Sequence, residues 1–168
     1  DELELLLKAL RLRRIADILD DELASADKDE RSYQDFLARL LRAQWHAQQE
    51  GALAWRIERA RMPEKWTLES FPFKKQPGVS QKQMRGFAEL DFVAKAVNLV
   101  FVGPTGVGKT GLASALLLKA LQNGHRGLFL RAQDLFDEMY SSLADRSSRK
   151  LIDRLARVDV LVIDEMGY

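Results

Sequence analysis

Leu99-Val100-Phe101-Val102-Gly103-Pro104-Thr105-Gly106-Val107-Gly108-Lys109-Thr110 joins two local signals in one stretch. The first four residues are a wholly apolar, β-rich run, the pattern of a buried parallel strand. The next eight fit G-x-x-x-x-G-K-[ST], a phosphate-binding loop. Glycines let the backbone turn tightly around an anion where a Cβ would clash. Successive amides then converge as a nest, and the helix that starts near Lys109 adds the positive end of its dipole. The Lys109 ammonium can reach the β- and γ-phosphates of a nucleotide, and the Thr110 hydroxyl can ligate Mg²⁺. A chance glycine-rich loop is the alternative, and a strand before it with a helix after it argue against that.

The rest of the C-terminal half alternates in the same way. Residues 112–121 read as a helix closed by Asn123-Gly124. Leu128-Phe129-Leu130 reads as a strand, 134–142 and 149–157 as helices, and Val160-Leu161-Val162-Ile163 as a third strand. Strands alternating with helices predict a parallel α/β sheet with helices on both faces.

Asp164-Glu165 follows that last strand directly, about 55 residues after Lys109. A carboxylate at the end of a buried strand can support the magnesium shell, as a Walker B aspartate does. The adjacent Glu165 can polarise the attacking water as general base. An ordinary surface acidic pair is the competing reading. The pairing favours hydrolysis over plain nucleotide binding and fits the additional-strand (ASCE) class of P-loop NTPase, in which AAA+ proteins sit.

Upstream, Leu3, Leu6, Leu7, Leu10, Arg14, Ile15, Ile18 and Leu19 follow i, i+3, i+4 spacing and predict a helical block with one apolar face. Asp27-Lys28-Asp29-Glu30 is a polar break. Ser32-Tyr33-Gln34-Asp35 reads as a capping box. The long helix after it is expected to turn Phe36, Leu37, Leu40, Leu41 and Ala43 inward and to run through Gly51 to about Arg61, because Pro63 disfavours helix just ahead of it. Trp45 and Trp55 are expected to pack rather than stack on bases, and His46 and His125 carry no role. Pro63, Pro72, Pro77 and Gly78 make 62–79 an irregular linker. Ser80 opens another helix, with Gln83 three residues on, expected to end near Asn98. The predicted organisation is a helical N-terminal domain over 1–61, a linker over 62–79 and an α/β domain from 80 to 168.

Composition excludes several classes. Of 168 residues, 46% are hydrophobic and 30% charged, the balance of a globular chain. There is no cysteine, hence no disulfide or thiolate metal site. No apolar run approaches the roughly 20 residues that cross a membrane, and the first residues lack the basic region of a signal peptide. No membrane partner is expected, and a cytoplasmic location is the default.

Net charge is +1 but uneven. Residues 1–55 hold eight basic and twelve acidic residues, whereas 56–86 hold eight basic and three acidic. In that basic middle Lys74, Lys75, Lys82 and Arg85 stand among Trp66, Phe71, Phe73 and Phe87. Lysines and arginines neutralise phosphates and aromatics stack on bases. A solvated linker with aromatics that pack the protein together is the alternative. A third use is an aromatic at the adenine, by Phe71 or Phe73. Arg11, Arg13 and Arg14 form either a phosphate-binding face or the solvated side of an amphipathic helix.

Taken together these residues resemble the IstB-type insertion-sequence helper ATPases, and more distantly the DnaC-type helicase loaders. The resemblance rests on Ser32-Tyr33-x-x-Phe36-Leu37-x-x-Leu40-Leu41, on Ala60-Arg61-Met62-Pro63 with Thr67-Leu68-Glu69-x-Phe71-x-Phe73, on 103–110 followed by Leu112-Ala113, and on Val160 to Tyr168, which ends Asp-Glu-x-Gly-Tyr. It implies a protein that binds ATP with Mg²⁺ and duplex DNA, assembles on DNA as a homo-oligomer and assists a cognate transposase. Nucleotide contacts would fall on Gly103, Pro104, Thr105, Gly106, Val107, Gly108, Lys109, Thr110, Gly111 and Phe73. Thr110 and Asp164 would support the metal, and Glu165 and Lys109 would be catalytic. DNA would meet Arg11, Arg13, Arg14, Lys74, Lys75, Lys82 and Arg85. Two positions depart from the family: Pro72 stands where Asp is frequent and Gly111 where His is common. AAA+ cores continue past the third strand into a sensor strand, an arginine finger and further helices. The chain is therefore expected to be a fragment that hydrolyses ATP poorly alone. A helicase loader remains the rival, mildly favoured by the acidic 1–55 stretch. A nucleotide kinase would need an arginine-rich lid, and none is visible.

Overall fold

The computed structural model describes residues 1–167; Tyr168, the last position of the Asp-Glu-x-Gly-Tyr ending, lies outside the described residues. The chain divides into two compact units, Asp1–Ala54 and Trp55–Tyr168.

The first unit is helical, with α1 at Glu2–Ala9, α2 at Arg13–Lys28 and the first part of α3, which spans Tyr33–Ala60. The single amphipathic block read from the leucine spacing is in fact two helices. Arg11 takes a left-handed φ of 57°. The Leu12 N–H then donates to Leu7 O at 2.8 Å and the Arg11 N–H to Lys8 O at 3.1 Å. This reciprocal closure normally uses glycine, so an arginine in that place sends no stop signal. The break lets Leu7 and Ile15 both pack on Leu40. Gln44 of α3 is buried and accepts from the Ile15 N–H at 3.3 Å, supplying α2 with the cap its own first residues lack. Ser32 caps α3: its Oγ accepts from the Asp35 N–H at 3.1 Å, which contributes about 1 kcal/mol, and its hydroxyl donates to the Asp35 carboxylate at 2.6 Å in place of the backbone bond of a full capping box. Leu37 and Leu41 do not turn inward; with Trp45 they form an exposed stripe, because Leu40 and Gln44 take the inner face. Trp55, in the second unit, is also exposed, with the Arg59 guanidinium 4.7 Å from its ring centroid.

The second unit is an α/β layer structure built on α6, Lys109–Gln122. Strand β1, Gly127–Arg131, pairs in parallel with β2, Val160–Asp164, in a register that sets Gly127 opposite Val160 and Arg131 opposite Asp164. Side chains alternate across a strand, and so do the partners here. A Cβ on Gly127 would strike Leu117 and Leu121 of α6. Leu128 and Leu130 instead cluster with Leu135 of α7, Ala132–Ala144, and with Leu155 of α8, Ser148–Ala156. Helices therefore cover both faces of the parallel pair. Helix α6 is buried nearly all round, and Leu117 and Leu121 are fully buried. Its end closes through His125 N–H to Ala120 O and Gly124 N–H to Leu121 O. Arg56 Nε also donates to Leu121 O at 2.9 Å, placing a cation at the negative end of the dipole.

Two expectations need correction. The helix from Ser80 does not run to Asn98: α4 covers Gln81–Phe87, and a short α5 covers Asp91–Ala94. Leu90 adopts a left-handed φ of 64° between them, which turns its side chain into the protein. Residues 99–102 are not a buried strand. Leu99 and Phe101 pack against Met84, Phe71 and α6, but Val100 and Val102 are 82% and 90% exposed. A strand needs a neighbour, and no described segment forms a ladder with this one. Within the linker, Thr67 and Ser70 close a turn, each hydroxyl accepting from the other's backbone N–H at 3.1 Å, and Phe73–Lys75 forms a 3-10 turn.

Two stability predictions follow from this packing. Ser114 is fully buried in α6, and its hydroxyl makes no hydrogen bond among the described residues. Ser114→Ala removes that cost and adds helix propensity, so urea unfolding should show a gain of up to about 1 kcal/mol with unchanged slope. Asp159 joins the two strands at their start, accepting from the Arg126 N–H at 2.8 Å and from its guanidinium at 3.1 Å. The guanidinium first, then the backbone N–H, hold the Asp159 carboxyl below its ordinary value. A depressed folded pKa stabilises above the unfolded value and is lost as pH falls through the folded one. Asp159→Asn should thus melt below the wild type at pH 7, with the gap closing through the acid range.

Candidate nucleotide-binding site

Residues 103–110 leave the extended 99–102 segment and enter α6 at Lys109. Gly106 and Gly108 have φ of 84° and 88°, a region that favours glycine. Gly108 is the N-cap of α6, and its carbonyl accepts from the Leu112 N–H at 3.0 Å. Lys109 Nζ donates to Gly103 O and Pro104 O, both at 2.8 Å, folding the ammonium back over the loop it follows. Among the described residues Lys109 forms no ion pair, so its charge adds to that of the helix N-terminus without a carboxylate to cancel it. A glycine-lined turn, a helix start and a cation at its mouth together fit a phosphate group. An open cleft of about 250 Å³ adjoins Val107 and Lys109, walled mainly by Met84, Phe87, Leu99 and Phe101. It is smaller than the roughly 300 Å³ at the low end for small-molecule sites.

The acidic side of the site is brought in by β2. Thr110 Oγ1 donates to Asp164 Oδ2 at 2.7 Å, although 54 residues separate them. Asp164 Oδ1 accepts from the Glu165 N–H at 3.0 Å. Glu165 is exposed and takes a φ of 59°, uncommon for a residue with a side chain. A hydroxyl and a carboxylate in contact, both half-buried, are hard oxygen donors of the kind magnesium takes. That ion characteristically binds one or two carboxylates and completes its shell with water and substrate phosphates.

The aromatic residues of the basic middle are engaged in packing. Phe71 is buried with Met84, Leu112 and Leu116, and Trp66, Phe73 and Phe87 pack against that cluster. Phe71 and Phe73 rings meet edge-on at 4.8 Å. Phe71 is thus enclosed, while Trp66, Phe73 and Phe87 each keep part of their surface exposed. The candidate DNA contacts Lys74 and Lys75 are exposed on the 3-10 turn, and Lys82 and Arg85, three residues apart, share an exposed face of α4. In the first unit Arg11 sits in the break after α1, while exposed Arg13 and Arg14 open α2.

Sequence reasoning missed the support beneath the loop. A Cβ on Gly108 would lie 2.7 Å from the Phe71 ring, and one on Gly111 would lie 3.4 Å from the Trp66 indole. The available signal was the replacement of a larger residue by Gly111 in a chain with Trp66 upstream.

Comparison with known proteins agrees with these features. A family model described as IstB-like ATP binding protein matches residues 5–168. The chain is 36% identical over 167 residues to a Pseudomonas aeruginosa protein named "Insertion sequence IS21 putative ATP-binding protein", covering 99% of this chain and 63% of that relative. It is 33% identical over 137 residues to the corresponding protein of insertion sequence IS5376 from Geobacillus stearothermophilus, covering 82% of this chain and 55% of the relative. An IS21-like counterpart from Bacteroides fragilis is 29% identical over 157 residues, covering 94% and 79%. The chain thus spans about three-fifths of the first two relatives. With the family match running over nearly every residue, the glycine loop and the Thr110–Asp164 pair have their context: this chain belongs to the IstB-like ATP binding protein family.

Proposed function

We propose that this chain binds ATP with Mg²⁺ at residues 103–111, hydrolyses it through Glu165, and belongs to a DNA-binding oligomer that assists the transposase of an insertion sequence. The observation that carries the nucleotide reading is the 2.7 Å hydrogen bond from Thr110 to Asp164, a hydroxyl and a carboxylate in contact at the start of α6, directly after the glycine loop. The loop amides and Lys109 would hold the phosphates, and Thr110 and Asp164 would hold the metal. When bound, the ion neutralises charge on the transferred phosphate and orients it. Glu165, exposed at the strand end, would accept the proton of the attacking water. Phe73, half-buried and edge-on to Phe71, would line the adenine side of the nucleotide. The insertion-sequence reading draws on the names of the relatives, and DNA contact on the exposed basic residues of 56–86 together with Arg11, Arg13 and Arg14. The proposed organisation remains a helical domain over 1–61, a basic linker over 62–79 and the ATPase portion from 80, acting in the cytoplasm.

The acidic balance of residues 1–55 supports a second reading, in which the N-terminal helices meet a replicative helicase and not DNA. Filter binding with duplex DNA, with and without ATP, separates the two. Retention that rises with ATP and falls steeply with salt supports the clamp. Negligible retention in both states, with capture of the purified helicase instead, supports the loader.

At the site, Lys109→Ala should weaken nucleotide affinity itself, read by equilibrium titration. In the full-length protein, Glu165→Gln should keep that affinity within about two-fold while turnover drops on the order of 10²-fold or more. Unchanged phosphate release in Glu165→Gln would remove that residue from catalysis.

A further inference from the structure

Gly111 is the third residue of α6 and follows Thr110 directly. The first amides of a helix have no acceptor within it. In α6 the Leu112 N–H is already engaged, donating to Gly108 O at 3.0 Å. Gly111 therefore carries the last helix amide that faces the loop's ligand and not the helix itself.

An indole stands at this position. A Cβ on Gly111 would lie 3.4 Å from Trp66 Cδ2 and 3.6 Å from both Cε2 and Cγ. Three ring atoms at nearly equal distances set the glycine over a face of the indole, and a larger residue at 111 would compete for the space the ring fills. Trp66 is held from two further sides. Phe71 meets it edge-on, with centroids 6.3 Å apart and planes at 64°. Its Nε1–H donates to the Glu64 carboxylate at 2.6 Å. The ring is thus fixed in orientation, yet it is only half-buried, so part of its surface stays open beside the start of α6.

We infer that Trp66 is a nucleoside-contacting residue, its indole the surface on which the base or ribose of a bound nucleoside triphosphate lies, with Gly111 supplying the room that lets it stand there. The inference rests on the nucleotide reading above and extends it to a residue outside 103–111. Lys109 and Thr110 serve the β- and γ-phosphates and the metal that bridges them. The α-phosphate and the nucleoside attached to it then fall on the Gly111 side. An indole offers a large apolar face at little cost in rotamer freedom, and every base has a π-face to set against it. The contact therefore discriminates a nucleotide from a bare polyphosphate, which the loop alone does not.

The test compares the affinity of this chain, with magnesium, for ATP and for inorganic tripolyphosphate, which has the phosphates without the nucleoside. Trp66→Leu, apolar but without a π-face, should weaken ATP binding about ten-fold and leave tripolyphosphate binding within about two-fold. Trp66→Phe should recover most of the ATP affinity. The chain has three tryptophans, so in a Trp45→Phe/Trp55→Phe background the emission reports Trp66 alone. ATP should change that emission and tripolyphosphate should not. Thermal melts establish that each variant is folded; if Trp66→Leu does not fold, the emission measurement carries the test. A folded Trp66→Leu with wild-type ATP affinity overturns the inference. So does equal weakening of ATP and tripolyphosphate, which would make the indole a prop for the loop, and so does an emission that ATP leaves unchanged while it binds. A wild type that binds neither ligand removes the nucleotide reading and this inference with it.

Discussion

The Thr110 hydroxyl donates to the Asp164 carboxylate, and this contact holds the start of α6 against the carboxyl end of β2. A hydrogen bond to a charged group is worth about 1.5–3 kcal/mol. Burial of one fully enclosed leucine such as Leu117 is worth as much, and α6 buries several. Packing, then, secures the helix, while the Thr110–Asp164 bond ties its first turn to the end of β2. That setting brings the phosphate loop, a hydroxyl and two consecutive carboxyl groups to one edge of the sheet.

The remaining architecture can be understood as the support of that setting. Alternation along β1 sends Gly127 toward α6 and Leu128 and Leu130 toward α7 and α8, so the pair is covered on both faces. Arg56 engages the far end of α6. Phe71 and Trp66 occupy the space beside Gly108 and Gly111 at its near end. Of the two departures from the family pattern, Pro72 follows Phe71 directly and Gly111 lies in α6 against Trp66. Gly111 leaves room for the Trp66 indole, and Pro72 stiffens the turn that sends Phe71 inward.

Much of the site was legible because its signals are local. A glycine loop between an apolar run and a helix, a strand ending in Asp-Glu, and serine caps at Ser32 and Ser80 all depend on residues within a few positions. Errors arose where geometry came without its usual residue. Arg11 and Leu90 take left-handed conformations that composition assigns to glycine, so a helix break at each was invisible. Leu37 and Leu41 have the right spacing for a core, yet a helix can bury only part of an apolar stripe, and the neighbours of α3 chose Leu40 and Gln44. Residues 99–102 have the composition of a central strand, but ladder pairing is a property of two segments.

The sequence by itself determined the phosphate loop, the acidic strand end, the alternation of strands with helices and the family, since each is written in short spacings or in whole-chain similarity. Only the tertiary structure decided that Thr110 and Asp164 meet, that Phe71 and Trp66 pack beside Gly108 and Gly111, and that Val100 and Val102 are exposed. The physical reason is separation along the chain. Contacts across tens of residues depend on which faces bury each other, and no local pattern records that choice.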